Sequence, residues 1–251
     1  MPQLGGDAVL FGNVRLATQI LDIDPDACLV WCFDVGAPKR RRVDPEYKAN
    51  RKEKPKHENI DDFYKAMTLM RTVQLGEIGF PNTLWFDGFE ADDIIASICK
   101  DSKHTNHEKV IVSSDHDLYQ LLAGGDGPGV CMFNIKTQMF YTDKHFQNDY
   151  GIPPWRWSKV KAIAGCSSDN VKGVPGVGEK TAVKFLTGNL KTHTKAFAAI
   201  QNNRQQCIDN MDLVDLPFVG TPSFDLVYDT LRNRRHANEV IRSYHIHDIG
   251  F

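Results

Sequence analysis

The sequence predicts an α/β fold in which a parallel central sheet is covered by helices, followed by a helical subdomain. Short, almost wholly apolar runs alternate with longer segments of helical spacing as far as about Thr142. Such alternation is typical of parallel strands that are buried on both faces. Beyond Thr142 the chain is mostly helical. We therefore expect an α/β domain over residues 1–142 and a helical subdomain over residues 143–251.

Four segments of the α/β domain are predicted to be helices, chiefly because apolar residues recur every three or four positions. They are Ala8–Leu21, Asn59–Ile78, Glu90–Lys100 and one that starts at Leu118–Leu122. The residues at this spacing in the second helix are Phe63, Met67, Met70 and Val73. Short apolar runs predict the strands, the last two of which form a hairpin or two edge strands. The strands are Cys28–Phe33, Thr83–Phe86, Lys109–Ser113, Val130–Asn134 and Gln138–Tyr141.

Composition limits the class of protein. A chain of 251 residues with 41% hydrophobic content can form one large domain or a domain with a small appendage. The six cysteines form no CxxC pair and no zinc-binding spacing, which indicates a reducing, intracellular setting. No apolar run approaches the roughly 18 residues of a membrane span. We therefore expect a soluble protein that has no membrane partner.

Acidic residues follow three of the predicted strands. Asp34 comes after the first strand, Glu90 shortly after the second and Asp115 after the third. In open parallel sheets, active sites lie beyond the carboxyl ends of the strands, so these side chains are expected to cluster. The full set of candidate metal ligands is Asp34, Glu90, Asp92, Asp93, Asp115, Asp117 and Asp169.

Carboxylate oxygens without cysteine or histidine ligands suit Mg²⁺ or Mn²⁺. Two such ions, roughly 3.5–4 Å apart, would clamp the attacking and leaving oxygens of a phosphodiester displacement. No Ser/His/Asp or Cys/His pairing offers a competing nucleophile. Any one of these acidic residues alone is better explained as a helix cap or a solvated group, so the prediction depends on the set. His116 is expected to be a structural partner of its acidic neighbours.

A glycine-rich segment, Val171–Ala182, predicts a phosphate-binding turn. A nucleotide P-loop is disfavoured because Glu179 separates Gly178 from Lys180. A helix-hairpin-helix over residues 164–187 fits better, in which Pro175 ends one helix and backbone N–H groups of the next point at a phosphate. An ordinary turn between two helices is the alternative. The predicted contacts to duplex DNA are Lys172, Gly176, Gly178, Lys180, Thr181 and Lys184.

The stretch over residues 36–58 is basic and interrupted by proline. From Lys39 to Lys56 it holds nine Lys/Arg against three Asp/Glu, although the net charge of the whole chain is -2. Taken alone it is a solvated loop, but beside an acidic metal site it would attract a DNA backbone. Tyr47 would stack on a base, and one helical face would present both Lys48 and Arg51. The other predicted DNA contacts are Lys39, Arg40, Arg41 and Arg42.

Four segments together resemble the 5′-nuclease family, which includes flap endonucleases, phage 5′-exonucleases and the 5′-nuclease domain of bacterial DNA polymerase I. They are FDVGAPKRRRVDPEYKANR (33–51), FEADDIIA (89–96), SSDHDLYQLL (113–122) and AGCSSDNVKGVPGVGEKTA (164–182). The resemblance implies a PIN-like fold with a helical arch over residues 36–58 and a helix-hairpin-helix that grips duplex DNA. It also implies K⁺ held by loop carbonyls of the hairpin, and a cytoplasmic setting in a bacterial or phage-infected cell.

The resemblance implies a role for each matching residue. Asp34, Glu90, Asp92 and Asp93 would serve a first metal ion, and Asp115, Asp117 and Asp169 a second. Lys48 and Arg51 would contact the scissile phosphate region. The residues expected to be catalytic are therefore Lys48, Arg51, Asp93 and Asp115.

The chain departs from the family pattern in two places. Family members begin with a strand that ends in a metal-binding Asp, whereas this sequence starts at the segment that follows it. A separate chain supplying that strand is one expectation, and Asp7 is not assigned to the role. Family members usually carry Gly-Asp where this chain has Gly165-Cys166, from which we expect weaker metal binding.

The leading functional prediction is a monomeric, two-metal 5′-3′ exonuclease or flap endonuclease that acts on DNA with 5′ ends, flaps or junctions regardless of base sequence. The alternative is a DNA junction- or flap-binding protein with weak or no nuclease activity, or half of a split nuclease. A small PIN-like ribonuclease is disfavoured, because the basic arch and the helix-hairpin-helix fit duplex DNA.

Overall fold

Helices dominate the chain and short strands separate them. The computed structural model describes residues 6–36, 38–53, 60–125, 127–228, 233–247 and 249–251, and for residues 6, 7, 52 and 53 the backbone alone. The helices are α1 (Gly6–Ile23), α2 (Pro38–Val43), α3 (Ile60–Leu69), α4 (Leu75–Ile78), α5 (Ala91–Lys100), α6 (Asp143–Tyr150), α7 (Trp157–Ala164), α8 (Glu179–Leu186), α9 (Lys195–Asn202), α10 (Arg204–Val214) and α11 (Arg234–Ser243). The strands are β1 (Trp31–Cys32), β2 (Thr83–Leu84), β3 (Lys109–Val112), β4 (Val130–Asn134), β5 (Met139–Tyr141), β6 (Gly165–Cys166) and β7 (Val171–Lys172).

The residues fall into two compact units that do not follow chain order. The first comprises Met1–Phe33, Pro55–Trp85 and Asp225–Phe251, and the second comprises Asp34–Lys54 and Phe86–Phe224. Neither unit ends at Thr142, and a domain boundary there stays a prediction. Every candidate metal ligand belongs to the second unit.

In the first unit, α1 confirms the helix predicted at Ala8–Leu21. It is amphipathic, since its buried side chains recur at helical spacing. These side chains are Leu10, Val14, Ala17 and Leu21. They pack in one core with residues of β1, α4 and α11. No described helix is both long and apolar enough to cross a membrane.

The helix predicted at Asn59–Ile78 also forms, but a π-helical turn at Met70–Gln74 interrupts it between α3 and α4. Asn59 itself lies outside the described residues. The π turn adds a residue to one turn and so rotates the face that follows. Met70 is buried, whereas Phe63 and Val73 are 44% and 39% exposed. The helix is therefore confirmed, with a π-helical interruption that its regular spacing does not predict.

In the second unit, β3 pairs with β4 in parallel and β4 pairs with β5 in an antiparallel hairpin, as predicted. The helix predicted at Glu90–Lys100 is α5. The helix predicted to start at Leu118 is a 3₁₀ helix over His116–Leu121. Their apolar side chains pack around the fully buried Trp157 of α7.

The first two strands are shorter than predicted: β1 lacks three residues at its amino end and one at its carboxyl end, and β2 lacks two at its carboxyl end. β1 and β2 pair in parallel over two residues each, with Trp31 opposite Thr83. The described strands form three separate sheets of two or three strands. A mixed α/β arrangement is therefore observed, while a single central parallel sheet is not confirmed among these residues.

Candidate metal centre

The charges of Asp34, Glu90 and Asp115 all act on the carboxyl of Asp92, and we call these four carboxylates the first acidic group. Asp34 follows β1, and its Oδ1 accepts a 2.7 Å hydrogen bond from the Ala91 N–H. Glu90 caps α5, and Asp92 lies in the first turn of that helix. Asp115 caps the 3₁₀ helix that follows β3, where its Oδ1 accepts from the Asp117 N–H at 2.9 Å. Helix starts and strand ends thus bring the four together, as their positions in the sequence predicted.

The ionisation of Asp92 shows how crowded the negative charge is. Burial raises the pKa of the Asp92 carboxyl to about 8, with further contributions from Asp115, Asp34 and Glu90. Lys48 acts in the opposite direction but does not outweigh them. A shift in this direction means that burial and neighbouring negative charge disfavour the ionised form of Asp92, which a bound cation would restore. The donor set consists of carboxylate oxygens alone, which fits Mg²⁺ or Mn²⁺.

Asp117, Cys166 and Asp169 form a second group, in which one ligand atom from each side chain lies within 4.8 Å of the others. Asp117 comes from the 3₁₀ helix after β3, Cys166 from β6 and Asp169 from the 3₁₀ helix Ser167–Asp169. The Cys166 Sγ is 3.6 Å from Asp117 Oδ2 and 3.0 Å from Ser168 Oγ. Burial and the Asp117 charge raise the pKa of the Cys166 thiol above its ordinary value.

Tyr47 and Lys48 connect the two groups. The Tyr47 hydroxyl is 2.8 Å from Glu90 Oε2 and 3.1 Å from Asp169 Oδ2. Lys48 Nζ forms ion pairs with Glu90 and, at 3.7 Å, with Asp169. Arg51 Nη2 is 2.8 Å from Asp169 Oδ1, and its side chain is 54% exposed. The two cations therefore lie beside the carboxylates, and their contact with a scissile phosphate stays a prediction.

Tyr47 itself corrects a prediction. Only 2% of the residue is exposed, and its ring lies in a small core with Cys166, Val171 and Leu213. A ring buried in this way cannot stack on a nucleic-acid base. Its hydroxyl instead orients two of the candidate ligands, and burial raises its pKa far above the ordinary range of a tyrosine.

Arg40 and Asp93 form a buried ion pair that the sequence did not reveal. Arg40 is 2% exposed and Asp93 is fully buried. Arg40 Nη1 lies 2.5 Å from Asp93 Oδ2, and Nη2 lies 2.7 Å from Oδ1. Asp93 also accepts from the backbone N–H groups of Glu90 and Phe218. With both oxygens occupied, Asp93 supports α5 in place of ligating a metal, and Arg40 is unavailable to DNA.

Lys161 is a further residue of the site that sequence reasoning missed. Its Nζ is 3.1 Å from Asp117 Oδ1 and 3.1 Å from Glu179 Oε1, so it joins the second group to the start of α8. Burial lowers the pKa of Lys161, but the two carboxylates outweigh burial and raise it above the usual value. A signal was present, since Lys161 follows Trp157 by one helical turn on the apolar face of α7.

An open cleft of about 400 Å³ lies over the second group. Its lining residues are Ser113, Ser114, Asp115, His116, Asp117, Lys161, Cys166 and Ser168. The ring of His116 stacks on Tyr119, with ring centroids 4.7 Å apart, which agrees with the structural role expected of it. The cleft therefore exposes members of both carboxylate groups to solvent.

The other cations of the basic stretch are distributed over α2. Arg41 and Arg42 are exposed. Lys39 lies over the ring of Phe89, with Nζ 3.6 Å from the ring centroid. Residues 37 and 54–58 of the predicted arch lie outside the described residues. Of the four cations from Lys39 to Arg42, Arg40 alone is buried.

The glycine-rich segment lies between two helices, α7 and α8. Contrary to expectation, Pro175 does not end a helix: α7 ends at Ala164, and Pro175 belongs to a turn that follows the β6–β7 hairpin. Gly176 has a positive φ of 76°, and Gly178 caps α8 without a side chain. Lys172, Lys180 and Lys184 are exposed, whereas Thr181 is half-buried.

The hairpin requires glycine where two backbone segments touch. A Cβ at Gly173 would lie 2.0 Å from the Ala164 carbonyl oxygen. At Gly165, whose φ is +82°, a Cβ would lie 2.4 Å from the Gly173 nitrogen. This close approach fixes the hairpin that carries Cys166, and leads into Asp169, beside the end of α7.

Comparison with known protein families identifies one match. The family described as "5'-3' exonuclease, N-terminal resolvase-like domain" matches residues 7–151, which is more than half of the chain. The match covers the first acidic group and Asp117 of the second group.

Curated relatives agree with this match. DNA polymerase I of Thermus aquaticus is 30% identical over 243 residues, which is 94% of this chain and 28% of that protein. DNA polymerase I of Mycobacterium bovis is 29% identical over 238 residues, 89% of this chain and 25% of that protein. A 5'-3' exonuclease of Halalkalibacterium halodurans is 34% identical over 156 residues, 61% of this chain and 48% of that protein. The chain thus spans about a quarter to a half of these relatives.

Two solved structures have a similar fold. The T5 5'-exonuclease with bound zinc superimposes with a TM-score of 0.70 at 22% identity, covering 93% of this chain and 89% of that chain. The T5 D15 flap endonuclease, crystallised with DNA and metal ions, gives a TM-score of 0.64 at 21% identity and covers 95% and 89% of the two chains. At these identities the likeness shows the fold, a mixed α/β 5′-nuclease fold.

Proposed function

We propose a function for this chain on the basis of its family. The chain belongs to the 5′-3′ exonuclease family, whose N-terminal resolvase-like domain matches residues 7–151. We infer that it hydrolyses DNA phosphodiester bonds near 5′ ends, as an exonuclease or on flaps, with Mg²⁺ or Mn²⁺ as cofactor. The substrate is DNA with 5′ ends, flaps or junctions, recognised independently of base sequence.

The observation that carries the proposal is the first acidic group. Asp34, Glu90 and Asp115 surround Asp92 electrostatically, and burial together with their charges raises the pKa of Asp92 to about 8. Stability alone disfavours such an arrangement, because like charges lie close together and burial disfavours the ionised form of Asp92. A divalent cation balances them, with Asp34, Glu90, Asp92 and Asp115 as candidate ligands of one ion and the second group as those of another. Bound ions would supply positive charge to the scissile phosphate and lower the pKa of the attacking water.

Basic residues of the chain would position the DNA at the metal centre. Lys48 and Arg51 lie at the boundary of the two groups, where a phosphate drawn to bound cations would sit. Both can donate charge-assisted hydrogen bonds to its oxygens. Lys39, Arg41 and Arg42 on α2 would attract the approaching DNA backbone.

The segment around α8 is proposed to hold the duplex as a helix-hairpin-helix. Lys172, Lys180 and Lys184 are exposed there, and Gly178 leaves the start of α8 open to a phosphate. Such contacts read no base edges, so binding would not depend on sequence. Two parts of the proposal rest on the resemblance alone: a K⁺ ion held by carbonyls of this turn, and action as a monomer in a bacterial or phage-infected cell.

The test uses the purified chain with a labelled 5′-flap duplex. Short 5′ products are expected with Mg²⁺ and none with EDTA. Asp115→Asn should slow cleavage by on the order of 100-fold or more, as when a group that stabilises transition-state charge is removed, while flap binding persists. Asp26→Asn, at an exposed position in the first unit, is the matched control and should cleave normally.

Two outcomes would contradict the proposal. Cleavage by Asp115→Asn at the wild-type rate would exclude a metal role for that carboxylate. Tight flap binding without cleavage in either Mg²⁺ or Mn²⁺ would favour a junction-binding protein.

A further inference from the structure

The second group differs from the first in the chemistry of its ligand atoms. It combines two carboxylate oxygens with the sulfur of Cys166, all within 4.8 Å of one another. The other described candidate ligands at this centre are carboxylate oxygens. Cys166 is 7% exposed and lines the 400 Å³ cleft, so a cation in the cleft can reach it.

The neighbours of Cys166 hold the three ligand atoms in place. Lys161 pairs with Oδ1 of Asp117, which directs Oδ2 of the same carboxylate towards the Cys166 sulfur at 3.6 Å. Arg51 binds Oδ1 of Asp169. The β6–β7 hairpin fixes the backbone of Cys166 through Val171. Each member of the group is thereby oriented by a contact outside it, as is usual for ligands whose geometry is set in advance.

We propose that the second group is a mixed sulfur-oxygen site, which prefers a thiophilic divalent cation such as Zn²⁺, Cd²⁺ or Co²⁺ over Mg²⁺. The inference rests on the proposed function, in that it takes this cleft to be a metal centre. Thiolate ligands favour soft and borderline cations, whereas Mg²⁺ binds oxygen and seldom accepts sulfur. On binding, a cation–sulfur bond forms, the S–H bond breaks, and the proton passes to solvent. No oxidant or reductant takes part.

Because two of the three ligands are carboxylates, the second group should prefer a thiophilic cation without excluding Mg²⁺. Asp117 and Asp169 remain able to bind a hard cation without the sulfur, with water completing its coordination. A thiophilic cation gains the third protein ligand and Mg²⁺ does not. The chain should therefore discriminate among metals at the second group and much less at the first acidic group.

The experiment titrates Co²⁺ into the intact, reduced chain and records thiolate-to-cobalt charge-transfer absorption in the near ultraviolet. One equivalent of absorbing Co²⁺ is expected. Cys166→Ser and Cys166→Asp should abolish the band, while Cys207→Ser, which removes a half-buried thiol elsewhere, should keep it. Calorimetry measures the affinity for Cd²⁺, which should fall in Cys166→Ser by at least on the order of 10-fold. Removing a residue that only hydrogen-bonds a metal ligand already costs about 10-fold or more, and Cys166 is proposed to be a ligand itself.

Circular dichroism of each variant establishes that it is folded. A wild-type chain without the band, or a band that survives Cys166→Ser, would overturn the inference. Cleavage of the labelled flap in Mg²⁺ is measured on the same samples and separates this inference from the proposed function. Cleavage without the band would reject the mixed site alone, whereas the band without cleavage in any metal would reject the nuclease function and leave the site established.

Discussion

The first acidic group and the second group differ in how their negative charge is balanced. In the second group, Asp117 pairs with Lys161 and Asp169 with Arg51. In the first, Lys48 pairs with Glu90, and no ion pair to a described residue involves Asp34, Asp92 or Asp115. The carboxyl with the strongly raised pKa, Asp92, accordingly belongs to the first group. The contrast indicates that side chains of the fold balance part of the charge of the second group, whereas Asp34, Asp92 and Asp115 of the first group have no such partner among the described residues.

The largest loss of stability is expected from breaking the buried ion pair between Arg40 and Asp93, at the start of the helix that carries Glu90 and Asp92. Arg40→Met leaves the Asp93 carboxylate buried without its counterion and should destabilise the chain by about 3–5 kcal/mol. Urea denaturation at neutral pH measures the loss. Arg41→Met, on the same helix but exposed, should change stability by less than about 0.5 kcal/mol.

A double variant keeps this prediction open to refutation if Arg40→Met does not fold. Replacing both partners with apolar residues, Arg40→Met with Asp93→Leu, should recover much of the stability. A single variant as stable as the wild type would mean that Asp93 does not need Arg40. Asp93 would then again be a candidate ligand.

The second group should respond to the loss of its own cation. Lys161→Met removes the partner of Asp117 and Glu179 and should cost about 1–3 kcal/mol, as for a buried polar group left unsatisfied. Divalent cations should bind the second group more tightly, because Asp117 loses a competing positive charge. Thermal unfolding with and without Mg²⁺ tests both effects, with exposed Lys159→Met on the same helix as control. Unchanged stability and metal affinity would refute the balancing role.

Asp92→Asn should stabilise the metal-free chain at about pH 7 by a few kcal/mol, because each unit by which the folded pKa exceeds the unfolded pKa corresponds to about 1.4 kcal/mol. The folded pKa of Asp92 is about 8, above the unfolded value near 3.9. This group therefore contributes stability below about pH 4 that is lost as pH rises through 8. In EDTA, the advantage of the variant should grow between pH 5 and pH 9. A difference that does not vary with pH would mean that Asp92 is not crowded.

The smallest effect is expected away from both groups. Lys180→Ala should weaken duplex binding equally for unrelated sequences and reduce the salt dependence of binding by about one unit of slope. Fluorescence anisotropy at several salt concentrations measures it, and exposed Lys136→Ala serves as control. A loss confined to certain sequences would contradict contact with the phosphate backbone.

Local pattern was sufficient for much of the fold. The helices α1 and α5 and the hairpin β4–β5 follow from apolar spacing, because side-chain burial has the same period as the backbone. The exposed Val73, which lies within the π-helical turn at Met70–Gln74, shows the limit of this reasoning. Nothing in the spacing announces a π-helical turn, and one added residue turns the following side chains away from the expected face.

The residues of the candidate site likewise fall into those that local pattern identified and those that it did not. Asp34, Glu90 and Asp115 could be found because each stands next to a predicted strand or helix start, where the chain direction alone brings them near one another. Arg40 and Tyr47 could not be interpreted correctly, and the position of Lys161 on an apolar helix face indicated burial but not its partners. Their partners, Asp93, Asp169 and Glu179, are distant in sequence, and a basic or aromatic residue has the same signature whether it is buried or exposed.

By itself, the sequence determined the family, the acidic positions and the mixed α/β character, since these depend on motifs and on local periodicity. Tertiary structure alone decided which charges meet. It assigned Arg40 to Asp93 and Lys161 to Asp117, and it placed the Cys166 sulfur beside two carboxylates. The physical reason is that an ion pair or a ligand set depends on distances of a few ångströms between segments that are far apart along the chain, and no local pattern encodes those distances.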